Sequence, residues 1–142
     1  MRPLGVTLVG LYQLLRGAFT LLFGICVLLF AGLIATFASF AAEGNAVARV
    51  VHGIGHVGLI IIGFAIVHVL AGYGVLLMQN WGRLLTILFS AIGLVLVLPG
   101  MAHGYVSSLI FGLLNAACVL YLSMPPIRRA FRAEGSPLRV AA

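Results

Sequence analysis

Long apolar runs, separated by short polar segments, dominate this chain of 142 residues. A helix needs about 20 largely apolar residues to cross a hydrocarbon core of roughly 30 Å. The pattern predicts four spanning helices, over residues 17–42, 52–78, 84–98 and 105–123. The runs are continuous rather than alternating, which excludes barrel strands, and a helix satisfies its own backbone groups in lipid. We therefore predict an all-α fold, an integral membrane four-helix bundle.

Prolines are expected to end two of these spans. The third should close at Pro99, because proline lacks an amide hydrogen and its ring obstructs the preceding turn. The pair Pro125 and Pro126 should stop the fourth span in the same way. Residues 124–142 then form a basic tail after the last span.

The segment from Pro3 to Arg16 has two interpretations. It is rich in Leu and Val, yet Gln13 and Arg16 are too polar for an independent span. It either lies in the membrane interface or extends the first span, with Arg16 reaching the headgroups. Extension of the first span is the preferred prediction.

Composition supports lipid as the solvent of this fold. The chain is 63% hydrophobic and 7% charged, with a mean hydropathy of +1.26. A water-soluble domain of this size could not hide so much apolar surface, because small domains leave much of their surface exposed. We expect a single transmembrane domain in the lipid bilayer.

The distribution of arginine predicts the orientation. With four spans, both termini and the loop around Arg83 share one side of the membrane. That side carries seven arginines: Arg2, Arg16, Arg83, Arg128, Arg129, Arg132 and Arg139. The other side carries Arg49, so the positive-inside rule places both termini in the cytoplasm. The basic tail could also contact anionic lipid. The arginines are dispersed and lack a base-stacking motif, so nucleic acid is not an expected partner.

Small residues recur at helical spacing in three of the predicted spans. Lipid provides no hydrophobic drive between helices, so they associate where small side chains let backbones approach closely. These stripes predict a compact bundle or a homo-oligomer. They comprise Ala31, Ala35, Ala38 and Ala42; Gly58, Ala65 and Gly72; and Ser108, Gly112 and Ala116.

Histidines and one glutamate form a candidate metal site at the outer side. His52 and His56 are four residues apart and project from one helix face. His103 and Glu43 lie in the outer loops, and such a set suits Zn²⁺ or Cu²⁺. The alternative is that these imidazoles meet headgroups or water at the membrane interface.

His68 lies about 15 Å inside the second span, counted at 1.5 Å per residue from its inner end. Ser90 and Asn115 fall at similar depth, so the preferred interpretation is a buried polar network of His68, Ser90 and Asn115. The alternative is axial ligation of a haem or chlorophyll-type pigment by His68.

Several sequence segments resemble a group of small bacterial integral membrane proteins of uncharacterised function. The segments are Arg2-Pro3-Leu4-Gly5-Val6-Thr7, Tyr12-Gln13-Leu14-Leu15-Arg16-Gly17, Gly72-Tyr73-Gly74, Trp81-Gly82-Arg83-Leu84-Leu85-Thr86-Ile87, Ser90, Asn115, Tyr121-Leu122-Ser123-Met124-Pro125 and Arg129-Ala130-Phe131. The resemblance implies four spans in a bacterial cytoplasmic (inner) membrane and no particular activity.

The predicted spans contain no acidic residue, which disfavours a proton-coupled transporter because such proteins generally use embedded carboxylates. We expect a non-catalytic protein without a cofactor, an accessory or self-associating subunit of a bacterial membrane assembly. The second hypothesis is a haem-, pigment- or metal-binding subunit using His68 or His52 with His56. A small transporter is the third.

Overall fold

The computed structural model describes residues 3–40 and 44–134, and these ranges are almost entirely helical. Five helices follow one another along the chain: α1 (Leu4–Phe40), α2 (Gly44–Leu76), α3 (Asn80–Ala102), α4 (Val106–Ser123) and α5 (Pro125–Glu134). The first four contain stretches of 34, 29, 23 and 18 residues that are long and apolar enough to cross a membrane. The all-helical prediction with four candidate membrane spans is confirmed.

α1 begins well before the first predicted span. It starts at Leu4, so the segment from Pro3 to Arg16 continues into the first apolar run as one helix. Gln13 is 0% exposed rather than facing the membrane interface. The polarity of this segment therefore belongs to a packed helix face.

α3 extends beyond Pro99 to Ala102, so the expectation that it closes at this proline is wrong. Proline removes its own amide donor, but its carbonyl still accepts a hydrogen bond. The His103 amide donates to the Pro99 carbonyl at 3.1 Å, and the Tyr105 amide donates to Gly100 at 3.0 Å. The last turn of α3 is completed by these bonds.

Pro125 and Pro126 stop α4 at Ser123 and at the same time begin α5. Proline suits a first helical turn, where an amide hydrogen has no partner within the helix. Residues 125–134 of the expected tail are therefore a helix, and residues 135–142 lie outside the described residues.

The chain divides into two compact units. Unit 1 comprises Met1–Leu14 and Leu70–Ala142, and unit 2 comprises Leu15–Val69. Unit 1 has an apolar core to which α1, α2, α4 and α5 each contribute. The buried members of this core are Val6, Val75, Met78, Leu122, Ile127 and Phe131.

In unit 1, α3 and α4 are antiparallel neighbours. A Cβ added at Gly93 would lie 3.1 Å from Asn115 Nδ2, and one at Gly112 would lie 2.7 Å from Met101 Sδ. One at Gly100 would collide with Ser108. Because low numbers on α3 face high numbers on α4, the helices run in opposite directions.

In unit 2, glycines bring α1 and α2 together. A Cβ at Gly17 would lie 2.7 Å from Val69, one at Gly24 would lie 2.8 Å from Ile62, and one at Gly58 would lie 2.8 Å from Leu28. The paired numbers again run in opposite directions, so these helix segments are antiparallel. Close backbone approach over small residues is the expected way for helices to pack in lipid.

Candidate functional site

Unit 1 buries polar side chains from three helices. Gln13 of α1, Thr86 and Ser90 of α3 and Asn115 of α4 are each 0% exposed. In a membrane-spanning helix, polar groups turn inward because lipid offers them no hydrogen bonds. This cluster is the polar interior of unit 1.

Gln13 and Ser90 join α1 to α3. Gln13 Nε2 donates a hydrogen bond to Ser90 Oγ at 3.3 Å, between residues 77 positions apart in the chain. Asn115 packs against Gly93, one turn of α3 further on from Ser90. Ser90 and Asn115 thus belong to unit 1, while His68 belongs to unit 2.

Two oxygen atoms of this cluster are buried without a hydrogen-bond partner among the described residues. They are Gln13 Oε1 and Thr86 Oγ1. Thr86 precedes Ser90 by one helical turn, so both side chains lie on one face of α3. Both oxygens can accept a hydrogen bond.

Gln13 and Thr86 were not among the predicted members of the cluster, although the sequence contains a signal for Thr86. On α3 the buried residues Arg83, Thr86, Ser90 and Gly93 follow at intervals of three, four and three. This is one continuous face of polar or small residues on an otherwise apolar helix. Gln13 had no such local pattern.

Arg83 connects α3 to the end of α4. It is 7% exposed, its Nη1 donates to the Leu122 carbonyl at 3.2 Å, and its Nε donates to Asn80 Oδ1 at 3.1 Å. Leu122 lies in the last turn of α4, where carbonyls lack partners within the helix. The guanidinium supplies one of these partners.

His52 and His56 line an open groove in unit 2 with a volume of about 330 Å³. We call this the α1–α2 groove. Its lining residues are Leu28, Ala31, Gly32, Val51, His52, Gly55, His56 and Leu59. The two imidazole centroids are 6.0 Å apart, and His56 Nδ1 lies 2.7 Å from the His52 carbonyl oxygen. When Nδ1 carries the proton and donates to that carbonyl, Nε2 retains its lone pair.

The structure does not bring the four residues of the expected metal site together in one place. His52 and His56 are close, His103 belongs to unit 1 with its ring 6.0 Å from that of Tyr105, and Glu43 lies outside the described residues. Within residues 3–40 and 44–134, no three His, Cys, Asp or Glu side chains are grouped as metal ligands. The structure therefore brings together a histidine pair.

His68 is 6% exposed, on the α2 face that also carries Ala65. Its Nδ1 lies 2.9 Å from the carbonyl oxygen of Phe64, one helical turn earlier. This geometry suits the tautomer that is protonated at Nδ1, which donates to the carbonyl. The interaction ties the imidazole to its own helix.

The small-residue stripes mostly pack within the chain. In unit 2, Ala65 is 0% exposed and its carbonyl lies close to Gly17, while Gly58 packs against Leu28. In unit 1, a Cβ at Gly72 would lie 2.9 Å from the Gly10 carbonyl oxygen.

The remaining stripe residues have varied exposure. Ser108 and Ala116 are half-buried beside the buried Gly112. On α1, Ala31 is buried and Ala35 is exposed. The side chains of Ala38 and Ala42 lie outside the described residues.

Comparisons with known proteins found no match. No protein family, no curated protein and no solved structure matches this chain.

Proposed function

We propose that this protein is a non-catalytic membrane subunit that associates, with copies of itself or with another membrane protein, through the α1–α2 groove. The supporting observation is that two glycines of the groove have open space beside them. Among the described residues, a Cβ added at Gly32 or Gly55 would meet no atom within 4 Å, whereas Gly24 and Gly58 are packed between the helices. Gly32 and Gly55 therefore provide room that internal packing does not use.

The chemistry of the groove suits an apolar helix. Leu28, Val51 and Leu59 line it together with the small residues. Helices in lipid associate where small residues admit the side chains of a partner. A neighbouring helix bound here would make more van der Waals contacts with the groove than flexible lipid chains would.

Two glycines of α2, two positions apart, provide the test. Gly55 lines the groove, while Gly53 is not among the lining residues, and a Cβ added at either would meet no atom of the described residues within 4 Å. Because residues two apart point to opposite helix faces, Gly55→Leu fills the groove and Gly53→Leu does not. Native mass spectrometry of gently extracted protein should show loss of higher-mass assemblies for Gly55→Leu. A monomeric wild type without partners, or equal assemblies in both variants, would contradict the proposal.

A second candidate function is metal or haem binding by His52 and His56 in the same groove. The close imidazole pair favours it, because two histidines one helical turn apart are a common half of a transition-metal site. Replacing both by alanine should then remove bound metal or colour while assembly persists. A wild-type protein that is colourless and free of metal after gentle extraction would end this alternative.

The arginine distribution supports a cytoplasmic position for both termini. The resemblance to small bacterial membrane proteins supports the bacterial cytoplasmic membrane as the location. We therefore propose a multi-pass inner-membrane protein with α5 at the cytoplasmic surface.

A further inference from the structure

α5 is a short amphipathic helix fastened to unit 1 by its apolar side. Ile127 and Phe131, four residues apart, are 8% and 0% exposed in the core. Arg128, Arg129 and Arg132 are exposed. The core contacts therefore fix how the helix is rotated, and the arginines are held at the surface.

These arginines surround a concavity of about 240 Å³. Its lining residues are Ser123, Pro125, Arg128, Arg129 and Arg132. Arg129 Nε donates to the Pro125 carbonyl at 3.4 Å, which leaves the two terminal nitrogens of its guanidinium as donors. Pro125 has no amide hydrogen, so a ligand here would be held by guanidinium groups and the Ser123 hydroxyl.

Positive charge is concentrated around this concavity. The whole chain has eight arginines and two acidic residues, Glu43 and Glu134. When a fold holds several positive charges close together, an anion bound between them lowers their mutual repulsion. The planar guanidinium group also matches the spacing of phosphate oxygens.

We propose that this concavity, the α5 arginine site, binds the phosphate of an anionic phospholipid. The position of the concavity along the chain favours a lipid as the source of the phosphate. α5 begins two residues after the end of α4, an 18-residue apolar helix long enough to span the bilayer, so its arginines lie at headgroup level. The inference is independent of association through the α1–α2 groove.

Native mass spectrometry with added lipid tests this site. Protein mixed with phosphatidylglycerol should retain bound lipid, while phosphatidylcholine, which has no net charge, should be retained far less. The triple variant R128Q/R129Q/R132Q should lower the affinity for phosphatidylglycerol about a hundredfold, since each arginine near an anionic surface contributes roughly fivefold. Arg49→Gln, which removes one exposed arginine from unit 2, is the matched control for Arg132→Gln.

Three results would overturn the proposal. They are equal retention of both lipids, equal loss of lipid in Arg49→Gln and Arg132→Gln, and displacement of the lipid by millimolar inorganic phosphate, which would indicate a site for free phosphate. Because the substituted arginines are exposed, the variants should keep wild-type circular dichroism. If the triple variant unfolds, the two single variants decide. Assemblies are counted in the same spectra, so failure of the lipid site and of groove association are distinguishable.

Discussion

Gly74 and Gly82 bring the backbones of α2 and α3 into direct contact. A Cβ added at Gly74 would lie 2.8 Å from the Gly82 Cα, and a Cβ added at Gly82 would collide with the Gly74 backbone. The turn between them places Met78 at a φ of 56°, and the Gln79 amide donates to the Gly74 carbonyl at 2.9 Å. This contact allows the turn to be short, and it places Arg83, the next residue, beside the end of α4.

The glycine contact predicts that Gly82→Ala destabilises the protein. The added methyl group meets backbone atoms, which cannot rotate away, so the free energy of unfolding should fall by about 2 kcal/mol. Gly63→Ala is the matched control, because a Cβ there meets no atom of the described residues within 4 Å, and it should not destabilise the protein since alanine favours a helix over glycine. Denaturant titration in detergent micelles measures both values. Equal stability of the two variants would show that the contact is not tight in solution.

The Gln13–Ser90 hydrogen bond predicts energetic coupling between α1 and α3. In a double-mutant cycle with Gln13→Leu and Ser90→Ala, the double variant should lose less stability than the sum of the single variants. The coupling should be about 0.6–1 kcal/mol, as for other hydrogen bonds between membrane helices. Gln13→Leu combined with Thr36→Val is the control pair, because Thr36 Oγ1 donates within its own helix to the Gly32 carbonyl. Additivity in the test pair would argue against the hydrogen bond.

The two bonds of Arg83 predict that lysine cannot replace it. Lysine carries a single ammonium in place of the fork that reaches both Asn80 and the Leu122 carbonyl. Arg83→Lys should therefore lower the free energy of unfolding by about 1.5–3 kcal/mol, the usual contribution of hydrogen bonds to a charged group. The exposed Arg128 should accept lysine with little change in stability. Thermal unfolding of both variants in the same detergent makes the comparison, and a stable Arg83→Lys would refute the connecting role.

Burial of Phe131 predicts that its removal releases α5. Phe131→Ala should cost about 3–5 kcal/mol of local packing energy, because the side chain is 0% exposed in the unit 1 core. Trypsin should then cut at the α5 arginines much faster than in the wild type. Leu120→Ala, at a position 67% exposed on α4, should leave the cleavage rate unchanged. Similar cleavage of both variants would mean that α5 is not held by this side chain.

Helix α5 illustrates what sequence reasoning could and could not predict about the site. The arginines of residues 124–142 predict contact with anionic lipid, a prediction that needs only local charge composition. The apolar residues Ile127 and Phe131 also follow a helical spacing. Two apolar side chains are too few to predict that the segment is a helix packed on unit 1. That prediction requires knowledge of the core in which they are buried.

The helical fold and its four candidate membrane spans could be predicted from the amino-acid sequence alone. The reason is that a helix in lipid is a local structure, in which length, apolar composition and internal hydrogen bonds are all properties of one segment. The contacts between distant residues came from the fold: Gln13 with Ser90, Gly74 with Gly82, and Phe131 with the unit 1 core. Such pairings depend on the rotation and register of helices far apart in the chain. Many different helix faces are apolar enough to contact lipid. Side-chain packing and buried hydrogen bonds determine which faces contact other helices instead.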